Sequence, residues 1–418
     1  MQKRYTILFA ALASCFIFLN ACTSKETTEG LTPVTLNEVA HSIFYAPMYV
    51  AIEEGYFEEE GIALELVTGF GADKTMTAVL SGEADIGFMG SESTIYAYNE
   101  GANDYVVNFA QLTQRAGNFL VAREDMSNFQ WEDLKGSYVL GGRKGGMPQM
   151  VFEYILKKHG LDPKKDLTIN QSIDFGSTAA AFAEGQGDFS VEFEPHATSL
   201  EKEGKGYVVA SLGEESGYVP YTAFSAKQSY IEENPEVIQA FTNALQKGMD
   251  YVNTHSPAEI AAVIQPQFSE TDLETITTIV KRYHEQDTWK ENLIFDEVSF
   301  SLLQKILETS GELDQKVPYN KLVFVEYAEN AIDIIVNIER MTDGKRKVTD
   351  ISEVVGFDGD EIKVEPIFKF IQHGLTDKGE VDGEFKLIER IPKVYNKIIA
   401  HGIKDIEDIF GSFKNEKE

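Results

Sequence analysis

From Val34 onward, short β-branched runs alternate with helical periodicities of apolar residues, and that alternation confines the chain to an α/β architecture. Val34–Val39 reads as a first strand and Tyr45–Glu59 as a helix stopped by Gly61; Ala63–Val67 is a second strand. Asp73–Ser81 is a helix closed by Gly82, and Ala84–Met89 is a buried third strand, so the order opens a doubly wound sheet. A second unit of the same kind runs from about Ser137 to Ala210, with strands at Tyr138–Gly141, Leu167–Ile169 and Asp188–Val191. Tyr218–Ala226 returns toward the first unit, after which Pro235–Ser256 and Ala258–Thr309 are largely helical. Two α/β lobes with a chain that crosses between them imply a cleft and a hinge.

In such sheets ligands bind beyond the carboxyl ends of the strands. The strand-to-helix junctions Ser42–Pro47, Gly69–Lys74, Gly90–Thr94 and Gly142–Pro148 fall at that edge. Ser42, Gly71, Ala72, Gly90, Ser91, Ser93, Gly145 and Gly146 could present free helix-start N–H groups, small hydroxyls or close backbone to a solute. Phe44, Tyr45 and Tyr221 could stack on a flat or apolar one. Glu92, Glu192 and Glu194 bring carboxyls to the same edge, and Arg115 and Lys144 bring cations. The glycines equally suit plain turns and the aromatics plain core.

Other chemistries lack their residues. The net charge of −31, from 68 acidic against 37 basic residues, repels phosphate backbones and excludes sequence-independent nucleic-acid binding. The seven histidines show no H-E-x-x-H spacing, no G-x-S-x-G elbow occurs, and Gly136 to Gly141 continues into Gly142-Arg143 rather than a Walker A lysine. No catalytic residue, metal or cofactor is therefore expected. The two cysteines, Cys15 and Cys22, exclude a disulfide framework. Both fall in an N-terminal segment with basic Lys3 and Arg4, an apolar run from Ile7 to Leu19, and Leu19-Asn20-Ala21-Cys22. That is a signal-peptide pattern, too short for a comfortable membrane span.

The segment resembles a bacterial lipoprotein signal (residues 1–21), which implies lipidation at Cys22, a tether over 22–33 and anchoring on the extracytoplasmic face of the cell membrane. The mature chain carries a further likeness. Phe44-Tyr45-Ala46-Pro47-Met48-Tyr49-Val50-Ala51, Glu54-Gly55-Tyr56-Phe57, Leu80-Ser81-Gly82-Glu83-Ala84-Asp85-Ile86-Gly87, Leu134-Lys135-Gly136 and Phe193-Glu194-Pro195 follow one another in order. Together they resemble the periplasmic-binding-protein-like receptors for nitrate, sulfonate, taurine and thiamin-pyrimidine precursors. The likeness implies a monomeric, two-lobed solute-binding domain over 34–331, of the type II fold, that closes on a small solute. It implies delivery to an ATP-binding-cassette permease. Lobe 1 is expected over about 34–125 and 222–331, and lobe 2 over about 126–221. Because buried carboxylates repel anions, an amine or donor-rich heterocycle such as an aminopyrimidine is expected ahead of a sulfonate. A pyrimidine synthase shares the fold, but its cysteine-rich iron-binding run is missing here.

Beyond Ile332 the pattern changes to strands. Ile334–Arg340 and Lys345–Ile351 flank Asp343-Gly344, a hairpin signal, and a second Asp-Gly stands at Asp382-Gly383. The run Arg340–Glu361 resembles the C-terminal end of type II/IV secretion ATPases of tight-adherence pilus assembly, without their nucleotide-binding motifs. The expectation is a small β-rich appendage over 332–418, joined near Ala331-Ile332 by fusion, or else a module that contacts a pilus or secretion partner.

Overall fold

A computed structural model describes residues 30–142, 144–173, 177–330, 334–358, 361–376, 379–388 and 392. The signal segment and Cys22 lie outside the described residues. Strands β1 (Thr32–Glu38), β2 (Ile62–Thr68), β3 (Ile86–Gly90), β4 (Val106–Thr113) and β10 (Thr222–Lys227) form one five-stranded sheet in the order β2-β1-β3-β10-β4. β1 runs parallel to both β2 and β3, while β10 returns antiparallel between β3 and β4. Strands β5 (Phe119–Ala122), β6 (Tyr138–Leu140), β7 (Thr168–Asn170), β8 (Phe189–Glu192) and β9 (Tyr207–Ser211) form the second, ordered β7-β6-β8-β5-β9.

The lobe boundary therefore moves. β5 pairs antiparallel with β8 and β9, so the chain leaves lobe 1 after Thr113 rather than near residue 125. It returns between Ser211 and Thr222. These two short crossings, 114–118 and 212–221, are the hinge. Arg115 binds them together: its Nη1 donates to the Gly213 carbonyl at 3.1 Å and its guanidinium lies 4.3 Å from the centre of the Tyr218 ring. Held there, Arg115 is a hinge residue, with its buried Nε left without a protein partner.

Helices cover the sheets. The long helix expected over Tyr45–Glu59 is broken, because Gly55 adopts φ 75°, a left-handed conformation favoured by glycine. What forms is a 3₁₀ turn Ile43–Tyr45, helix α1 (Ala46–Glu53) and a turn at Tyr56–Glu59. Helices α2 (Ala72–Ser81) and α3 (Glu92–Asn99) start at the strand-end edge of lobe 1, and α4 (Met147–Lys158) starts at that of lobe 2. The C-terminal helices α5 (Pro235–Thr254), α6 (Pro257–Ile264), α7 (Leu273–Glu285) and α8 (Glu297–Ser310) complete the body. Gly248 permits α5 to lie against α1, since a Cβ there would come within 2.2 Å of the Pro47 carbonyl. Aromatic packing fixes the sheet beneath, with Phe88 and Phe224 stacked at 4.2 Å and Phe224 edge-on to Phe241 of α5.

The tail forms its own four-stranded antiparallel sheet, β11 (Ile334–Arg340), β12 (Arg346–Asp358), β13 (Glu361–Leu375) and β14 (Val381–Leu387), in sequence order. Asp343-Gly344 makes the expected turn, with Gly344 at φ 78°. Asp382-Gly383 instead lies inside β14, opposite an irregularity in β13. Gly383 is needed there, as a Cβ would meet the Ile371 carbonyl at 2.4 Å. Among the described residues, the main hydrophobic core ends with Ala328 and takes nothing from β11–β14. Truncation after Ala331 is therefore expected to shift the thermal midpoint of the body by less than about 2 °C, which corresponds to about 1 kcal/mol for a domain this size. A calorimetric scan showing a larger drop would mean that the tail supports the body.

Candidate functional site

The carboxyl ends of β1, β3, β6 and β8 bring most of the predicted residues to one region between the lobes. Ser42 joins them directly. Its Oγ accepts from the Phe44 N–H at 3.3 Å and donates to the Glu194 carbonyl of lobe 2 at 3.1 Å. Phe44 is fully buried against Tyr45, Phe193, Tyr221 and Tyr283, and its carbonyl accepts from Trp289 Nε1 at 2.9 Å. It is thus packing at the lobe junction rather than a surface for stacking. Tyr45 sits edge-on to Phe88, and the Tyr221 hydroxyl donates to Asn118 Oδ1 at 2.7 Å.

Gly90 closes β3, and Ser91, Glu92 and Ser93 open α3; all four are buried. Ser91 Oγ donates to the Pro220 carbonyl of the returning hinge segment. Glu92 folds back over Gly90 so tightly that a Cβ on that residue would lie 2.2 Å from Oε2. A side chain at this position would require the Glu92 carboxyl to move. Burial pushes the Glu92 carboxyl up to about 8, against the pull of the backbone N–H groups of Glu92 itself and of Met147 across the cleft. Oε2 has no hydrogen-bond partner in the protein. Burial first, and the Glu92 charge after it, raise the Tyr221 phenol well above its usual value; burial raises the Tyr45 phenol, with Glu38 and then Glu92 adding to it. Tyr45, Glu92, Tyr221 and the start of α4 therefore form one neighbourhood.

The other lobe 1 junction holds Gly71 and Ala72 at the start of α2, with the Gly71 N–H donating to the Val39 carbonyl at 3.0 Å. The residue beside them, Phe70, had no place among the candidates. It is 74% exposed and holds φ 57°, a conformation that is costly for a bulky residue. Its signal was the aromatic between Gly69 and Gly71 at a strand-to-helix junction. Glu38 was missed as well. Its buried carboxylate accepts from Tyr49 Oη at 2.6 Å and Thr68 Oγ1 at 2.8 Å, and lies 2.9 Å from His41 Nδ1. That hydrogen bond raises the His41 imidazole above its usual value, against burial.

From lobe 2, Lys144 is exposed, Gly145 gives its N–H to Gln149 Oε1 at 2.9 Å, and Gly146 is the N-cap residue of α4. Glu192 accepts from Ser190 and Thr178 hydroxyls, yet burial still pushes it up to about 7. Glu194 is already satisfied within the protein. Thr198 donates to it through N–H and Oγ1, both at 2.9 Å, and Arg282 Nη1 of α7 lies 2.5 Å from Oε1. Burial raises its carboxyl, and Arg282 opposes the rise. Among the described residues, no group of three or more metal-ligating side chains occurs.

A family model described as "NMT1/THI5 like" matches residues 43–260. YtlA of Bacillus subtilis (strain 168), described as a candidate binding protein, is 50% identical over 331 residues, covering 79% of this chain and 98% of YtlA. The alkanesulfonate-binding protein SsuA of Xanthomonas axonopodis pv. citri, bound to MOPS, superposes with a TM-score of 0.58 at 17% identity, covering 70% of this chain and 98% of its own. The nitrate-binding protein NrtA of Synechocystis PCC 6803 gives 0.57 at 16% identity, covering 72% and 88%. The fold is the two-lobed type II fold of periplasmic binding proteins, with a separate β-rich sheet at the C-terminus. None of these matches supports the likeness of Arg340–Glu361 to a secretion ATPase.

Proposed function

We propose that this chain, which belongs to the NMT1/THI5-like family, is the solute receptor of an ATP-binding-cassette importer, closing on a small molecule and handing it to a permease. The observation that carries the reading is the pair of crossings, 114–118 and 212–221, joining two sheets whose strand ends face one region. A hinge of that kind converts binding into lobe closure, which a permease can recognise. No covalent step is needed; desolvation, aromatic contact and a few directed hydrogen bonds supply the affinity. The lipidated N-terminus at Cys22 belongs to the same reading, since it would hold the receptor beside its permease.

The solute is a donor-bearing molecule, an amine or aminopyrimidine, ahead of a sulfonate or nitrate. Glu92 and Glu192 are buried carboxyls with raised pKa values, and a solute cation or N–H donor would relieve that penalty where an anion would add to it. Phe70 at the lip supplies an exposed ring to cover the solute. Calorimetric titration with an aminopyrimidine, taurine, ethanesulfonate and nitrate tests this. The aminopyrimidine is expected to bind most tightly, and Phe70→Ala to weaken it about tenfold without lowering the thermal midpoint. Tight binding of the anions alone would refute the solute class, and silence across a broad solute panel would refute the receptor.

A further inference from the structure

The segment that follows β1 gathers ionisable groups beside the lobe junction. Glu38 ends β1 with its side chain completely buried, and both of its carboxylate oxygens are in use. Tyr49 Oη of α1 donates to Oε2 at 2.6 Å, and Thr68 Oγ1 of β2 donates to Oε1 at 2.8 Å. His41, with its side chain 34% exposed, places Nδ1 2.9 Å from Oε1 and Nε2 2.8 Å from the Gln267 carbonyl. Both ring nitrogens therefore meet acceptors. A neutral imidazole can donate to only one of them, whereas the cation donates to both. The ring centre lies 4.7 Å from that of Phe268 and 4.9 Å from that of Tyr49. The ionisable groups facing it are Glu38 and Tyr49; Glu53 of α1 stands one bond further off, accepting from Gln267 Nε2. Thr68 and Phe268 do not ionise.

We infer that these two acceptors keep His41 as an imidazolium, and that its proton is a latch which fastens the 38–42 segment to lobe 1 and frees it when alkaline solution removes the proton. The segment holds two parts of the cleft rim. The Gly69 N–H donates to the Glu38 carbonyl at 2.8 Å and the Gly71 N–H to the Val39 carbonyl at 3.0 Å, which seats the junction carrying Phe70. Ser42 gives its N–H to Tyr49 Oη at 3.2 Å and its hydroxyl to the Glu194 carbonyl of lobe 2. When the proton leaves, a nitrogen lone pair faces a buried carboxylate. Tyr49 can relieve this by turning its hydroxyl to Nδ1, 3.1 Å away, but Glu38 Oε2 then loses its donor. Otherwise the ring withdraws and gives up Gln267. Either response loosens the seat of Ser42. The Glu38 hydrogen bond raises the imidazole above its usual 6.5, against burial, so release falls on the alkaline side.

The test needs no solute, so it is independent of the receptor reading. The full chain, labelled in its histidine rings, is titrated by NMR, and the resonance missing from His41→Gln belongs to His41. Its midpoint is expected above 6.5 in wild type and lower in Glu38→Gln, whose amide can donate to Nδ1 and so favour the neutral ring. A wild-type midpoint at or below 6.5 overturns the inference. Hydrogen exchange then separates a latch from a mere ion pair. Below the midpoint the amides of Ser42, Gly69 and Gly71 should exchange at least about tenfold faster in His41→Gln than in wild type. A folded-state value above the unfolded one gives stability that is present below 6.5 and lost as pH rises through the folded midpoint. The two proteins should therefore converge in exchange rate, and in urea midpoint, above it. Equal exchange at low pH would leave a charged histidine that fastens nothing, and it too overturns the inference.

Discussion

Arg282→Met is expected to destabilise the protein by about 3–5 kcal/mol, the scale for stripping the partner from a buried charge. Arg282 of α7 holds two carboxylates of lobe 2 at once, Glu194 at 2.5 Å and Glu201 at 2.7 Å, and rests 5.3 Å from the Phe119 ring centre. The Glu194 side chain is completely buried, so water cannot replace the guanidinium. Methionine fills similar volume and removes only the charge and the hydrogen bonds. Adding Glu194→Gln should recover a large part of the loss, because the amide can still accept from Thr198 without carrying a buried charge. Urea unfolding of both single variants and the double variant measures the coupling. A coupling below about 0.5 kcal/mol would show that Glu194 is neutralised by protonation and that Arg282 is a surface ornament. The neighbouring Tyr283 hydroxyl receives the Glu194 N–H at 3.4 Å and donates to the Gly117 carbonyl at 3.0 Å, so α7 ties lobe 2 to the hinge. Loosening of lobe closure should accompany the lost stability.

The parts of this structure that were legible in the sequence are those governed by local rules. Alternating runs located β1, β2, β3, β6 and β8, and the Asp343-Gly344 turn located the first tail hairpin. What local rules missed depends on partners far along the chain. β5 resembles the end of lobe 1 until its pairing with β8 and β9 is seen. Asp382-Gly383 has a turn composition but sits within β14, because the reversal lies earlier, where the Thr376 N–H donates to the Glu380 carbonyl at 2.8 Å. Site residues followed the same division. Glycine at strand ends led to Gly90 and Gly146, but whether an acid there is free or paired depended on Arg282, separated from Glu194 by 88 residues. Glu194 looks free for a solute in the sequence, yet Thr198 and Arg282 already hold it. Phe70 and Glu38 escaped because one looks like a loop aromatic and the other like an ordinary strand-end acid.

Glu92→Gln is expected to stabilise the protein in alkaline solution and to do little in acid. The Glu92 carboxyl, at 4.5 when exposed, is raised to about 8 by burial in the folded chain. Between those values the unfolded chain has released a proton that the folded chain retains, so folding stability is highest below pH 4.5, declines through the window, and levels off above pH 8. At about 1.4 kcal/mol per pKa unit the decline amounts to roughly 3–5 kcal/mol. Glutamine has the same shape and nothing to ionise, so the variant should escape that decline. Glu192, raised to about 7, imposes a smaller decline over pH 4.5 to 7 on both proteins and cancels from the comparison. Urea midpoints at pH 5 and pH 8.5 therefore suffice: the advantage of Glu92→Gln should be several kcal/mol larger at the higher pH. An advantage that is the same at both would mean that Glu92 is already ionised in the folded protein. The same linkage bears on solute binding. A solute cation beside Oε2 stabilises the ionised carboxyl, so its binding should expel a proton and flatten the wild-type decline. Proton release measured by calorimetry in buffers of different ionisation enthalpy would then report the charge of the solute, because an anion in the same place would draw a proton in.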